Sequence, residues 1–341
     1  MLGVRDATPA DDAGVEAWLK SRPEATIFHT PRWGRAVERG TRQRFVPLLA
    51  TRGSELVGWL PLTHVRSRLF GDALVSSGFA VGGGLLGDAQ AAAALTEAAV
   101  ARARSTGTKA IELRGGAMPD GFAVDGESKV QFVRPLAASR DDELAAIPRK
   151  HRAEVRKGLA NALTVRVGRD EQDRRDHYRC YATSVRNLGT PVFPRALFDA
   201  VLDTFADADI LTVAHKGEAV ASVLSLYWRG TVMPYWGGGT REARGLRANE
   251  RMYFELMDHA RTKGCGAFDF GRSQAGSGPA AYKRNWGFEA QPLRYARWCA
   301  DGATRDVSAQ SPRYQQMVAA WQKLPLPLAN LVGPHIARQL G

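Results

Sequence analysis

An internal duplication constrains the fold of this chain more than any other feature of its sequence. Residues 45–65, FVPLLATRGSELVGWLPLTHV, form two apolar runs around an Arg-Gly-Ser turn, and residues 210–228, ILTVAHKGEAVASVLSLYW, repeat that plan around Lys-Gly-Glu. Both predict β-hairpins with glycine at the turn. A triple glycine follows each, Gly82–Gly84 and Gly237–Gly239. Next comes a helical stretch, Ala-rich from Ala91 to Arg104 in the first copy. In the second, Asn249 to Lys263, it carries Met252, Leu256 and Ala260 at helical spacing. The stretches end alike, ARSTG at 103–107 and ARTKG at 260–264, so Gly107 and Gly264 fall where a helix end favours a left-handed residue. A short strand with one internal acid closes each unit, AIEL at 110–113 and AFDF at 267–270. Matched features in one order, offset by about 155 to 165 residues, identify a tandem of one hairpin–helix–strand unit.

Such units pack as helices on mixed sheets, so the expected fold class is α/β (α+β) with two lobes. A length of 341 residues, 44% of them hydrophobic, supplies apolar material for two cores. The expected division is 1–147, an interdomain piece 148–168, a second domain 169–300 and a tail 301–341. The interdomain piece starts as a basic helix with Arg149, Lys150, Arg152, Arg156 and Lys157, and ends in a strand over Leu163–Val167. The tail holds Pro312, Pro325, Pro327 and Pro334, with an apolar helix near Tyr314–Trp321.

The charge balance, 47 Lys+Arg against 35 Asp+Glu for a net +12, favours anionic partners such as tRNA, nucleotide-linked substrates or anionic lipid surfaces. An Arg-rich, Lys-poor usage also follows from a GC-rich genome, so charge alone does not choose among them. Cys180, Cys265 and Cys299 have neither even number nor CxxC spacing, which argues against a disulfide framework or a structural zinc. The scattered histidines offer no metal-ligand spacing, and no metal is expected. No apolar run is long enough to span a bilayer and no secretory leader is apparent, so the expected compartment is the cytoplasm.

The order hairpin, glycine-rich strand end, helix, strand, helix resembles a GNAT domain. Two in tandem resemble the Fem family, whose members transfer aminoacyl groups from tRNA to peptidoglycan precursors. The likeness is carried by FHTPRWGRAVE (28–38), RKHRAEVRK (149–157), DFGR (269–272) and YKRNWG (282–287). Within that family, SVRNLGTPVFP (184–194) and PYWGGGT (234–240) resemble the FemAB-related proteins of PEP-CTERM/exosortase systems. The resemblance covers most of the chain. It implies a Fem-like N-acyltransferase acting on an amine of a cell-envelope or polysaccharide-related acceptor, with aminoacyl-tRNA or acyl-CoA as donor. It implies no DNA partner. The GNAT turn that cradles the coenzyme A pyrophosphate is glycine-rich. The corresponding stretch here, TREARGLRAN (240–249), has the single glycine Gly245, as in Fem-type proteins, which speaks against acyl-CoA.

Acyl transfer needs a deprotonated amine, a held carbonyl and a stabilised oxyanion. With no Ser-His-Asp or Cys-His pattern apparent, direct attack by the acceptor amine is expected. Asp269 at its strand end suits a base or a positioner of an ammonium or of Arg272; the competing reading is a helix cap. Glu112, its first-lobe counterpart, reads as structural. By the resemblance, Lys283 meets the donor's acyl linkage or phosphate; the competing reading is a solvated lysine beside an i, i+4 core pair, Tyr282 and Trp286. Arg186 and Asn187 in a turn-rich loop suit a carboxylate or phosphate. Tyr235 and Trp236 before the glycines read either as groove lining or as core. Trp33, Asn249, Tyr282 and Trp286 complete the expected binding set, with Arg149, Lys150 and Arg152 as phosphate contacts or a solvated face. The tail segment LPLPLANLVGPHIAR (324–338) reads as a strap between lobes or as a peripheral contact at the inner face of a membrane. Another class of reading is a non-catalytic module that binds RNA or an envelope partner.

Overall fold

The computed structural model describes residues 1–67, 71–302 and 312–341. Each predicted hairpin forms. Leu48–Arg52 pairs with Glu55–Leu60, and Asp209–His215 pairs with Glu218–Trp228 through a two-residue turn in which Lys216 and Gly217 both have positive φ, 51° and 85°. The predicted helices are Ala89–Thr106, capped by the Asp88 carboxylate at the Ala91 N–H, and Ala248–Thr262. Gly107 and Gly264 follow them at φ 69° and 77°. The acid-bearing strands are Ala110–Arg114 and Ala267–Gln274, and the basic interdomain piece is helix Arg149–Ala160 leading into strand Leu163–Gly168.

Two expected features of the first copy differ. The apolar run after Glu55 is broken at Pro61, because a proline cannot donate to the ladder, and Leu62–Val65 joins a different sheet. Gly237–Gly239 end strand Thr231–Gly239, whereas Gly82–Gly84 lie outside any strand.

The first lobe has a four-stranded sheet and a six-stranded one; the second has a seven-stranded sheet. Helix Ala89–Thr106 packs on the first lobe and helices Glu171–Asn187 and Ala248–Thr262 on the second. The sheets do not follow the boundary expected at 147/148. Strand Lys129–Pro135 crosses into the second lobe's sheet beside Ala267–Gln274, and strand Tyr295–Cys299 returns to the first lobe's sheet beside Ala110–Arg114. Each lobe is therefore closed by a strand taken from the other half of the chain.

Glu143 locks the first of these crossings. Its carboxylate is fully buried, accepts from Arg134 on the crossing strand and from the Ala137 N–H at 2.9 Å, and stands 3.5 Å from Arg261 on helix Ala248–Thr262. Glu143→Ala removes the buried carboxylate that Arg134 and Arg261 share, leaving Arg261 its second partner Asp258 at 2.7 Å, and is expected to cost about 3–5 kcal/mol, read as a lower urea midpoint.

A hydrophobic core also fills the space between the lobes. Ile27, Phe28, Trp33 and Val37 of the first meet Leu197, Phe198, Leu224 and Trp236 of the second. Helices Pro31–Thr41 and Arg195–Thr204 cross so closely that a Cβ at Gly40 would stand 2.4 Å from the Leu197 Cα, which only glycine allows.

Candidate active site

Strands Thr231–Gly239 and Ala267–Gln274 run parallel but pair only at Thr231 with Ala267 and Val232 with Phe268. Beyond that point they diverge. The register with Glu218–Trp228 skips Tyr235, since Leu224 faces Trp236 and Ser225 faces Pro234, and a bulge of this kind re-aims its side chain. The opening is a cavity of about 280 Å³ lined from one strand by Met233 to Gly237 and from the other by Asp269 to Arg272, with Lys283 and Arg114.

The first lobe has the same parallel pair, Ala73–Ser76 with Ala110–Arg114, but its opening is shut. Leu85 bridges to Gly116, and a Cβ at Gly84 would lie 1.7 Å from the Gly115 oxygen. Duplication thus gives one open cleft and one closed one.

A second cavity, about 530 Å³, lies between the lobes, lined by Thr26, His29, Gly82–Gly84, Gly115–Gly116, Gln131 and Trp228. Asp269, Arg114, Phe28, Val81 and Met233 line both cavities. Asp269 therefore stands in their shared wall.

Asp269 is buried at 9% exposure. It accepts from the Gly271 N–H at 2.8 Å and from the Gln131 amide at 2.8 Å, and so does not cap a helix. Burial raises its carboxyl above the ordinary range, partly offset by those two donors and by the Lys283 charge. Lys283, on helix Gly278–Asn285, turns inward rather than into solvent and donates to the Gly271 and Arg272 carbonyls, 3.0 Å each. Burial depresses its ammonium to about 8 against the pull of Asp269. Arg272 donates to the Tyr295 hydroxyl at 2.8 Å.

Other expected site residues are placed differently. Tyr235 and Trp236 line the cleft, and the Tyr235 hydroxyl donates to the Phe79 carbonyl at 2.7 Å. Trp33 is fully buried beneath them, its indole N–H on the Gly78 carbonyl, and touches neither cavity. Trp286 is fully buried, and Tyr282, half-buried at 6.4 Å from it, donates to Glu250. Asn249 packs against Gly239. Arg186 and Asn187 meet the tail through Gln322 and do not line the cavity, because helix Glu171–Asn187 runs on through both of them. Arg149, Lys150 and Arg152 line a shallow surface depression.

Sequence reasoning missed Arg114, Gln131, His29 and Tyr295. Arg114 is buried between the Glu112 carboxylate and the Ala80 and Gly341 carbonyls. Burial pushes the Glu112 carboxyl up but Arg114 outweighs it, and the net shift is down. The signal for Arg114 lay in the duplicated strand AIELRG, beside the acid that matches Asp269. His29 is held neutral, pushed down to about 4 by burial against backbone contacts from Thr26 and Gly84. Its Nδ1 accepts from the Thr26 N–H, which leaves the proton on Nε2, on the side of the Gly84 backbone.

Among the described residues no cluster suits a metal ion, and no helix is long and apolar enough to cross a membrane.

Residues 149–284 match the family described as acetyltransferase (GNAT) domain. No curated protein matches significantly. Among solved structures, FemX superposes with a TM-score of 0.67 at 15% identity, over 86% of this chain and 96% of that one. A tandem GNAT protein from the clavulanic acid biosynthesis pathway gives 0.57 at 14%, over 90% and 100%. The C-terminal domain (DUF2156) of a putative lysylphosphatidylglycerol synthetase from Agrobacterium fabrum gives 0.56 at 14%, over 86% and 94%. At these identities the likeness is one of fold, and it is the tandem GNAT fold. Residues 149–284 form a GNAT domain, and the chain is an acyltransferase.

Proposed function

We propose that this chain is a Fem-like N-acyltransferase in which the activated acyl group enters the open cleft and the acceptor amine arrives through the interlobe cavity. The observation that carries the reading is Asp269, which lines both cavities. The neutral amine attacks the acyl carbon directly, and the Asp269 carboxylate, made more basic by burial, takes the proton from the nitrogen as the C–N bond forms. The donor's ester (or thioester) bond then breaks, and the hydroxyl (or thiol) leaves with that proton. Lys283, cationic below about 8, faces the oxyanion that develops on the carbonyl. Arg272 and Arg114 add positive charge to the cleft wall.

An aminoacyl-tRNA donor is supported on two counts. Residues 241–246, where a GNAT enzyme would present a glycine-rich pyrophosphate turn, are helical. Arg149, Lys150, Arg152 and Arg156 form no ion pair among the described residues and stay available to a phosphate backbone. The motifs at 184–194 and 234–240 support an envelope-related acceptor of the PEP-CTERM/exosortase type. Acyl-CoA as donor is the second reading, favoured by the acetyltransferase description of residues 149–284.

The test offers labelled aminoacyl-tRNA and labelled acetyl-CoA in competition, with amine-bearing envelope precursors, and follows transfer by mass. Transfer from tRNA is expected; transfer from the thioester alone moves the chain to the second reading. Consumption of neither donor, with tRNA still bound, would leave a binding module and sink the proposal. With the competent donor, Asp269→Asn is expected to lower kcat by about 10²- to 10⁴-fold at unchanged melting temperature; a wild-type rate removes Asp269 from the chemistry.

A further inference from the structure

The last tail helix, Leu326–Ala337, has two unlike faces. Its small residues Ala329, Gly333 and Ala337 are buried, and a Cβ at Gly333 would stand 3.1 Å from the Val192 nitrogen of the second lobe. Just beyond, the Arg338 carbonyl accepts from Gln43 and the Gly341 carbonyl from Arg114, both of the first lobe. This face straps the lobes together.

The opposite face carries Leu328, Leu331 and Val332, all exposed, at the i, i+3, i+4 spacing that keeps side chains together on a helix. The helix contains no Asp, Glu, Lys or Arg, and its one titratable residue is His335 in the last turn. With Met317 and Leu340 these three make up more than half of the exposed large hydrophobic side chains among the described residues. A surface helix ordinarily turns charge outward, and contiguous apolar exposure marks an interaction surface.

Charge indicates what covers it. At the C-terminal end of the helix, an open pocket is lined by Arg42, Arg66 and Arg338 with Gln43, Asp72 and Gln339. None of the three arginines is in an ion pair among the described residues, and Asp72 already engages His64 and the Ser67 N–H. A second copy, itself at net +12, would bring like charge to this rim. An anionic lipid surface satisfies both parts, with leucines at the acyl boundary and arginines at the phosphates.

We infer that helix Leu326–Ala337 and its arginine rim dock in the plane of an anionic phospholipid surface. The face that straps the lobes and the face that meets lipid are then two sides of one helix.

Flotation of the full chain with vesicles tests this. Binding is expected to vesicles of phosphatidylcholine mixed with phosphatidylglycerol and not to phosphatidylcholine alone, and it weakens with salt. Leu328→Glu with Leu331→Glu, and separately Arg42→Gln with Arg66→Gln, are each expected to lower the partition by about tenfold or more. All four positions are exposed, and an unchanged melting temperature verifies that the variants fold. Absence of binding to either vesicle, equal binding to both, or binding unaffected by the leucine changes would overturn the assignment. So would a concentration-dependent wild-type dimer in light scattering that Leu331→Glu disperses, since the face would then belong to a second copy.

Discussion

Lys283→Ala is expected to lower kcat/KM by about 10²- to 10³-fold, the range for removing one preorganised donor from an oxyanion. Two of the three ammonium protons are spent on the Gly271 and Arg272 carbonyls, which fixes the third toward the cleft. Alanine also leaves those carbonyls unpaired, so Lys283→Met, which keeps the aliphatic stem, separates packing from charge. Both variants should melt within a few degrees of wild type if the lysine acts in the reaction rather than in the fold. The pH profile gives a second readout. With the ammonium depressed to about 8, a rate that depends on its charge falls as pH rises through about 8. Lys283→Arg should move that limb out of range, because a guanidinium stays protonated. An alkaline limb that persists in Lys283→Met would show that another group titrates. For stability the sign is the reverse of a stabilising ion pair. The folded lysine releases its proton near 8 and the unfolded one near its ordinary 10.5, so burying this charge costs stability below about 8, and that cost is relieved as pH rises across the window.

Trp33→Ala should cost about 3–5 kcal/mol of stability. The indole is fully buried at the meeting of the lobes. Its ring lies 4.9 Å from Phe28 of its own lobe, and 5.4, 6.2 and 6.4 Å from Tyr235, Trp236 and Phe205 of the other. Truncation removes contacts on both sides and leaves the Gly78 carbonyl without its donor. Because the two lobes share this core and exchange strands, unfolding should remain one transition at a lower urea midpoint. Two separated transitions would mean that the lobes are energetically independent. Trp33→Phe keeps much of the apolar area but not the hydrogen bond, and should cost about 1–3 kcal/mol. Tyr235 and Trp236 form the cleft wall on the far side of this ring, so residual activity per folded molecule should fall as well.

Side-chain pattern and turn chemistry determined the local units. Hairpins at Gly53 and Gly217, helices closed by Gly107 and Gly264, and acid-bearing strands at Glu112 and Asp269 follow from periodicity and backbone preference, which act over a few residues. Their repetition made the tandem fold legible, and DFGR with YKRNWG marked Asp269 and Lys283.

Tertiary structure alone decided which copy stays open and what completes it. Each lobe has a parallel strand pair, but it opens into a cleft in the second, whereas in the first Gly84 packs on Gly115. Strand exchange brings Gln131 to Asp269 and Tyr295 to Arg272 across 138 and 23 residues of chain. Sequence spacing carries no trace of these pairings, because they depend on which sheet edge a strand finds. Continuation of helix Glu171–Asn187 took Arg186 and Asn187 to the tail, and burial at the lobe interface made Trp33 core rather than lining. Local rules fix backbone conformation; the site arises where two distant segments share one buried volume, and only packing specifies that meeting.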